Sequence, residues 1–267
     1  MNDHLVALLE GARRRVAVAR RAEPEGALRT RAAALPAPPS LRRALAGPGV
    51  AVIAEVKRAS PSRGPLAPGL DAAEAARDYL EGGAAAVSVL TEPDGFDGSL
   101  DDLAAVAALG APALRKDFVI DAYQVWEARA AGAAAVLLIV AALDDTALRA
   151  LVTEADRAGL DALVEVHDLH ELERALGVGA RTIGVNARDL RTFEVDPGRF
   201  AAIAAARPEG TLLVAESGVH GPDDVERLGG LGADAVLVGE SVVTAADRRA
   251  AVAALVAAGH ATSEVLR

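Results

Sequence analysis

The sequence predicts an α/β fold, a single (β/α)8 TIM barrel with an N-terminal helical extension, and three observations carry that prediction. From residue 49 onward, eight short β-branched runs alternate with alanine-rich stretches of helical spacing, the rhythm of βα units around a parallel sheet. Eight is the strand number that closes such a barrel, and 267 residues is an ordinary length for one. Charged residues gather at the C-terminal ends of the runs, where barrels of this type build their sites.

In chain order the runs are 50–56, 85–90, 112–115, 134–140, 162–166, 182–185, 212–215 and 235–238. Most are continuously apolar, as strands covered on both faces must be. Asp71-Ala-Ala-Glu74 and Asp168-Leu-His-Glu171 read as capping-box-like starts of helices after the first and fifth strands. Neither G-x-G-x-x-G nor G-x-x-x-x-G-K-[ST] stands between a strand and a helix, which argues against a doubly wound open sheet. Residues 1–48 stand apart: they carry Leu5, Leu8 and Leu9, three arginines at 13–15, prolines between 36 and 39, and a second short helix at 41–46. The expected organisation is a helical extension over 1–48 packing on a barrel over 49–267. The three arginines read as the solvated basic face of an amphipathic helix, without a function of their own.

Composition removes several classes of function. A formal charge of −10 disfavours a nucleic-acid or anionic-membrane surface, so an anionic ligand must be held by a few local cations. The absence of cysteine excludes disulfides, thiolate metal sites and cysteine nucleophiles, and suits a reducing compartment; the cytoplasm is the expected location. Asp3 and Glu10 interrupt the apolar residues of the N-terminus, unlike a secretory signal. The longest uncharged run, 130–143, falls short of the roughly 20 residues of a membrane span.

The strand ends hold the informative residues. The first strand ends in Glu55 and Lys57, the third in Lys116, the fifth in Glu165, the sixth in Asn186 followed by Arg188, and the seventh in Glu216. Side chains alternate across a strand, so Glu55 and Lys57 share the face of Ile53 and point into the barrel mouth if Ile53 lies inside. Lys116 and Phe118 share a face in the same way. Lys57 and Lys116 are the only lysines in a chain whose other fixed cations are all arginine. Lysine and glutamate are rarely buried unless paired, so two lysines and three glutamates on one rim form either an ion-pair network or a reaction centre. Any one of them alone would read equally well as an ordinary salt bridge.

Ser217-Gly218 after the seventh strand and Gly239-Glu240-Ser241 after the eighth place small residues where backbone N–H groups can reach an anion, the usual phosphate position of such barrels. Phe96 and Phe118, two of only four phenylalanines, fall just past the second and third strands, either as an aromatic wall or as a cap on the core. Histidines 4, 167, 170, 220 and 260 lack metal-ligand spacing with a third ligand; His167-x-x-His170 lies at a helix start where Glu171 has a capping role, and no metal is expected. The serines near Ser60 and Ser217 lack a matching His/Asp pair.

The segment Val52-Ile-Ala-Glu-Val-Lys-Arg-Ala-Ser-Pro-Ser-Arg-Gly64 resembles the signature of indole-3-glycerol phosphate synthases. Further matches are Thr91-Glu-Pro93, Phe96-Asp-Gly-Ser99, Leu114-Arg-Lys-Asp-Phe118, Val164-Glu-Val166, Gly184-Val-Asn-Ala-Arg-Asp-Leu190, Ala215-Glu-Ser-Gly218 and Val238-Gly-Glu240. They span the barrel, while residues 1–48 match only in being a helical extension. Ala59 and Val242-Val243 depart from the usual serine and Leu-Met, at no position assigned to chemistry.

The resemblance implies a phosphorylated small-molecule substrate, 1-(2-carboxyphenylamino)-1-deoxyribulose 5-phosphate, converted to indole-3-glycerol phosphate, carbon dioxide and water, with no cofactor. Ring closure onto a ketone needs an acid, and the later dehydration needs an acid and a base. On this reading Lys116 is the acid of condensation, Lys57 holds the substrate's carboxylate, and Glu165 serves dehydration, while Glu55 and Glu216 orient the lysines and keep them protonated. Asn186 and Arg188 are expected at the sugar hydroxyls and the carboxylate, Ser60, Pro61, Phe96 and Phe118 around the aromatic ring, and Ser217, Gly218, Gly239 and the Glu240 N–H at the phosphate. Phosphoribosylanthranilate isomerases and tryptophan synthase α subunits would share the phosphate site. The isomerases normally use a cysteine, however, and neither carries Glu-x-Lys-x-x-Ser-Pro-Ser. A non-catalytic metabolite-binding barrel would be expected to lose the charged rim. No nucleic acid or membrane partner is expected, and the assembly expected is a monomer or weak homodimer. If residues 1–48 cover the mouth and help bind substrate, a chain starting at Gly49 loses affinity by about tenfold or more; full activity and affinity in that chain rejects the role.

Overall fold

The computed structural model describes residues 3–189 and 194–265. Leu190, the last residue of one signature segment, lies outside them. Eight parallel strands form one closed barrel in sequential order: β1 Ala51–Val56, β2 Ala86–Leu90, β3 Ala113–Lys116, β4 Ala135–Ile139, β5 Asp161–Val166, β6 Thr182–Asn186, β7 Leu212–Glu216 and β8 Ala235–Val238. The pairing of β1 with β8, Ala51 opposite Ala235 through Ala54 opposite Val238, completes the ring. The eight predicted runs are these strands, displaced by at most a residue or two at either end.

Alternation divides each strand between two cores. Inward residues Ile53, Leu114, Leu137, Leu163, Val214 and Leu237 fill the interior, while Val52, Val87, Val136, Val164, Val185 and Val236 face the helices. Those helices are α4 Ala72–Glu81, α6 Leu100–Ala107, α7 Ala122–Ala130, α8 Asp145–Ala158, α9 Leu169–Gly177, α10 Arg199–Ala205, α11 Pro222–Gly230 and α13 Arg248–Val265, with the single turns α5 Pro93–Phe96 and α12 Glu240–Val243 in the second and eighth loops. Both predicted helix starts are capped: Asp71 accepts the N–H of Glu74 at 2.8 Å and Asp168 that of Glu171 at 2.8 Å, while the Glu171 carboxylate accepts the N–H of His167, one residue before the cap. A two-stranded hairpin, Ala59–Ser60 against Gly64–Pro65, follows β1 and was not evident from the sequence pattern.

The extension forms α1 Asp3–Ala22, α2 Glu25–Ala33 and α3 Leu41–Leu45, and its two ends serve opposite ends of the barrel. At the bottom, Leu41 and Leu45 are fully buried in the interior cluster. They are held there by Asp161 at the start of β5, which accepts from the Ser40 hydroxyl and the Arg42 N–H, both at 2.9 Å. At the top, Leu5, Leu8, Leu9 and Ala12 of α1 join the same cluster as Phe118, with Phe96 packed against it. No helix among the described residues is long and apolar enough to cross a membrane.

Removing the Leu41 side chain would leave a cavity where α3 plugs the barrel. Leu41→Ala is expected to lower unfolding stability by about 2–5 kcal/mol, read as a lower urea midpoint at unchanged slope; a change below about 0.5 kcal/mol would show that α3 does not belong to the cooperative core.

Candidate active site

Alternation carries the charges inward as it carries the apolar residues. Ile53 and Glu55 follow one another on the inner face of β1, with Lys57 continuing the alternation just past its end; Leu114 and Lys116 do so on β3, Leu163 and Glu165 on β5, Gly184 and Asn186 on β6, and Val214 and Glu216 on β7. One cavity at the C-terminal ends of the strands is lined by Glu55, Lys57, Lys116, Glu165, Asn186 and Glu216; by Ser60, Pro61, Phe96, Phe118 and Arg188; and by Ser217, Gly218, Gly239 and Glu240. Every residue the sequence nominated is therefore on one wall or another of the same space.

At its floor, the Lys116 ammonium lies 3.0 Å from Glu216 Oε2 and 3.6 Å from Glu55 Oε2, and Lys57 Nζ lies 3.2 Å from Glu55 Oε1. Ser88 donates to Glu55 Oε2 at 3.3 Å. Glu55, Glu165 and Glu216 are 4, 1 and 1 % exposed, so each would be costly as an isolated anion. Burial presses the Glu55 carboxyl up, but Lys57 and Lys116 outweigh it and hold the group below its ordinary value. Burial likewise pulls the Lys116 ammonium down, and Glu216, Glu55 and Glu165 together push it above the usual lysine value, so it stays charged. Glu216 behaves differently. Burial raises it, Lys116 pulls it back and Glu165 raises it again, leaving it at about 7. The Lys116 ammonium at 3.0 Å is the close charged neighbour of Glu216, and the poor angle of that contact leaves both carboxylate oxygens short of well-aligned donors among the described residues.

The aromatic side is braced from α1. Glu92, fully buried, accepts the N–H groups of Asp94 and Gly95 at the start of α5 and pairs with Arg15 at 3.0 Å. Arg15 also lies 3.4 Å from Asp117, whose other oxygen takes Arg115 at 2.9 Å and the Thr91 hydroxyl at 2.8 Å. The expectation of a purely solvated basic face on α1 is thus overturned at Arg15, because the helix lies across the second and third loops, where three carboxylates meet it. Glu92 and Asp117 line the cavity too; both lie inside the signature segments, where no spacing or periodicity in the sequence sets them apart from their neighbours.

Opposite, Asn186 Oδ1 accepts from the Ser217 hydroxyl at 2.8 Å and the Arg188 N–H at 3.0 Å, joining the ends of β6 and β7. Ser217 and Gly218 have φ of 65° and 74°, two successive positive-φ residues that turn the chain sharply past the end of β7 and beside the cavity. Gly239 has a second reason to be glycine: a Cβ there would stand 2.7 Å from Glu55 Oε1 and 3.0 Å from Lys57 Nζ. The Glu240 carboxylate is 3.4 Å from the Arg63 guanidinium on the hairpin after β1. Ser60 lines the cavity while its oxygen accepts the Arg63 N–H at 3.2 Å. His167, read from the sequence only as part of a helix start, stands beside Glu165 at 3.5 Å and Glu171 at 3.0 Å. Among the described residues no group of three His, Cys, Asp or Glu side chains could hold a metal ion.

Comparison with known proteins points one way. The family profile described as indole-3-glycerol phosphate synthase matches residues 5–255. The indole-3-glycerol phosphate synthases of Mycobacteroides abscessus and Mycobacterium ulcerans are each 54 % identical to this chain over 256 residues, covering 96 % of it and 94 % of their own length. Among solved structures, a thiamine phosphate pyrophosphorylase from Pyrococcus furiosus matches with a TM-score of 0.63 at 21 % identity, over 85 % of this chain and 100 % of its own. A 3-hexulose-6-phosphate synthase matches with 0.63 at 18 %, over 78 % and 99 %. At such identities these two speak to the barrel fold alone.

Because the Glu216 carboxyl is raised in the folded chain, its protonation stabilises the fold. That contribution is whole below the unfolded value of 4.5 and is lost as pH rises through about 7. A protonated-carboxyl infrared band is expected to disappear with a midpoint near pH 7 and to be missing from Glu216→Gln; a wild-type band already gone by pH 5 would refute the raised value.

Proposed function

Since the chain belongs to the indole-3-glycerol phosphate synthase family and so is a carboxy-lyase of tryptophan biosynthesis, we propose that its buried lysine–glutamate cluster is what carries the reaction. The substrate is 1-(2-carboxyphenylamino)-1-deoxyribulose 5-phosphate. Its ring carbon bearing the carboxylate attacks the ketone carbon; the new C–C bond leaves an alkoxide that must be protonated. Loss of carbon dioxide restores the aromatic ring, and loss of water then completes the indole.

Lys116 gives the proton to the ketone oxygen. The observation that supports this most directly is its ammonium, set between the buried carboxylates of Glu55 and Glu216 and facing the cavity: these keep the proton available on a buried amine while costing no reorganisation when the alkoxide forms. Lys57, paired on one side with Glu55, holds the substrate's carboxylate and assists later proton movement. Glu165 exchanges the proton needed for dehydration. Glu55 and Glu216 orient the lysines, and Asn186 and Arg188 take the sugar hydroxyls and the carboxylate.

Pro61, Phe96, Phe118 and Ser60 hold the aromatic ring. The N–H groups of Ser217, Gly218, Gly239 and Glu240 take the phosphate, and the pairing of the Glu240 carboxylate with Arg63 favours a backbone role for that residue. In this reading the reaction needs no metal or cofactor, residues 1–48 act as a helical extension to a barrel over 49–267, and the protein works in the cytoplasm as a monomer or weak homodimer without nucleic acid.

Purified protein mixed with the substrate in chelator-treated buffer is expected to develop indole fluorescence, and Lys116→Met to lose about 10²–10⁴-fold in kcat/KM. Equal rates in the two proteins would remove Lys116 from the chemistry.

A further inference from the structure

Beside the cluster sits a second titratable group that the reaction scheme above leaves unused. His167 follows β5 directly, and its ring is wedged between two carboxylates. On one side, Nδ1 stands 3.0 Å from Glu171 Oε2, the same oxygen that accepts the backbone N–H of His167 at 2.8 Å. Glu171 belongs to the first turn of α9, whose N-cap is Asp168, so that carboxylate is held by the helix start and fixes the tautomer with the proton on Nδ1. On the other side, Nε2 stands 3.5 Å from Glu165 Oε1. Both of these atoms are buried, and neither has a hydrogen-bond partner among the described residues. Among the described residues these two buried polar atoms face one another, and leaving both unsatisfied is costly, so a small adjustment that brings them together is favoured.

With Nδ1–H committed to Glu171, Nε2 is a donor if the ring is charged and an acceptor if it is neutral. The facing pair then has two equivalent descriptions: imidazolium with carboxylate, or imidazole with carboxylic acid. Each contains one proton between Nε2 and Oε1. We propose that His167 is a positioning residue for Glu165, sharing one proton with it and so keeping an acid available at the cavity wall for the dehydration step; this deepens the role given to Glu165 above and rests on it.

The surrounding charges suit such a pair. Glu165 comes from β5 and Glu171 from α9; Arg199 from α10 is the cation that opposes protonation of the ring, and Lys116 from β3 acts on Glu165 from across the cavity. Burial lowers the His167 imidazolium, but Glu171 and Glu165 more than compensate and hold it above the ordinary histidine value. The ring does not line the cavity, so it acts through Glu165 and does not touch substrate. The proton balance closes: the acid delivers its proton to the leaving hydroxyl as the C–O bond breaks, water departs, and the pair recovers a proton from the indoline as the double bond forms.

The experiment combines a titration with pH profiles. In the resting protein, the His167 ring is followed by NMR from pH 5 to 9 in wild type and in Glu165→Gln. The midpoint is expected to fall by about one unit when Glu165 can no longer be charged; an unchanged midpoint overturns the shared proton, independently of any reaction. In turnover, His167→Gln keeps an amide near the Nε2 position but cannot titrate. Its KM is expected to stay within about twofold of wild type, while the alkaline limb of kcat moves about one unit to lower pH. A uniform loss of kcat with the limb in place, or a change in KM alone, marks a merely structural histidine and rejects the inference. Full activity in Glu165→Gln would instead overturn the role of Glu165, whatever the titration shows.

Discussion

The arrangement of this barrel's mouth depends on the Lys116 ammonium and the buried carboxylates of Glu55 and Glu216 on either side of it. Five charged side chains converge where water is largely excluded, and no one of them would be tolerated there alone. Two ammoniums stand against three carboxylates, an imbalance of one negative charge. Glu216 is the member that burial pushes to about 7, so near neutral pH its own charge, and with it that of the cluster, can change by one proton. The group least well supplied with donors is also the one whose charge is adjustable.

The strand geometry makes this convergence possible and also confines it. Inward positions recur every second residue, and the same register that stacks Ile53, Leu114, Leu163 and Val214 into a dry interior delivers Glu55, Lys116, Glu165 and Glu216 one step higher. Between them Gly184 leaves the space that the Glu216 carboxylate occupies, since a Cβ at that position would collide with Glu216 Oε1. Outward alternation sends Arg115, between Leu114 and Lys116, to the far side of the sheet, where it binds Asp117, Glu127 and the Gln124 carbonyl. Adjacent basic residues thus have unrelated tasks.

The extension contributes at both ends of the barrel. Its short third helix closes the bottom with two leucines, and its first helix reaches across the top so that Arg15 ties Glu92 and Asp117 together. Those two carboxylates sit in the segments that carry Phe96 and Phe118, so the helix fixes the wall on which an aromatic ring would rest.

Much of this was legible in the chain because it follows from local period and spacing. The β-branched runs, the inward face shared by Ile53, Glu55 and Lys57, and the candidate residues that line one cavity are consequences of alternation and of sites forming at strand ends, and the N-caps at Asp71 and Asp168 follow from local spacing. Which carboxylate would have its protonation raised was not legible, since that depends on how many donors and cations surround each group after closure. Nor was the function of Arg15, whose partners are 77 to 102 residues away in sequence, or the pairing of His167 with Glu165, where a local motif gave an adequate account of the histidine as part of a helix start. Sequence by itself determined the strand runs, the face on which each side chain falls and the residues offered to the mouth, because these are set by neighbours a few positions apart. The distances between those residues, and the desolvation that alters their charge, were decided only when the ring of strands closed and water left the space between them.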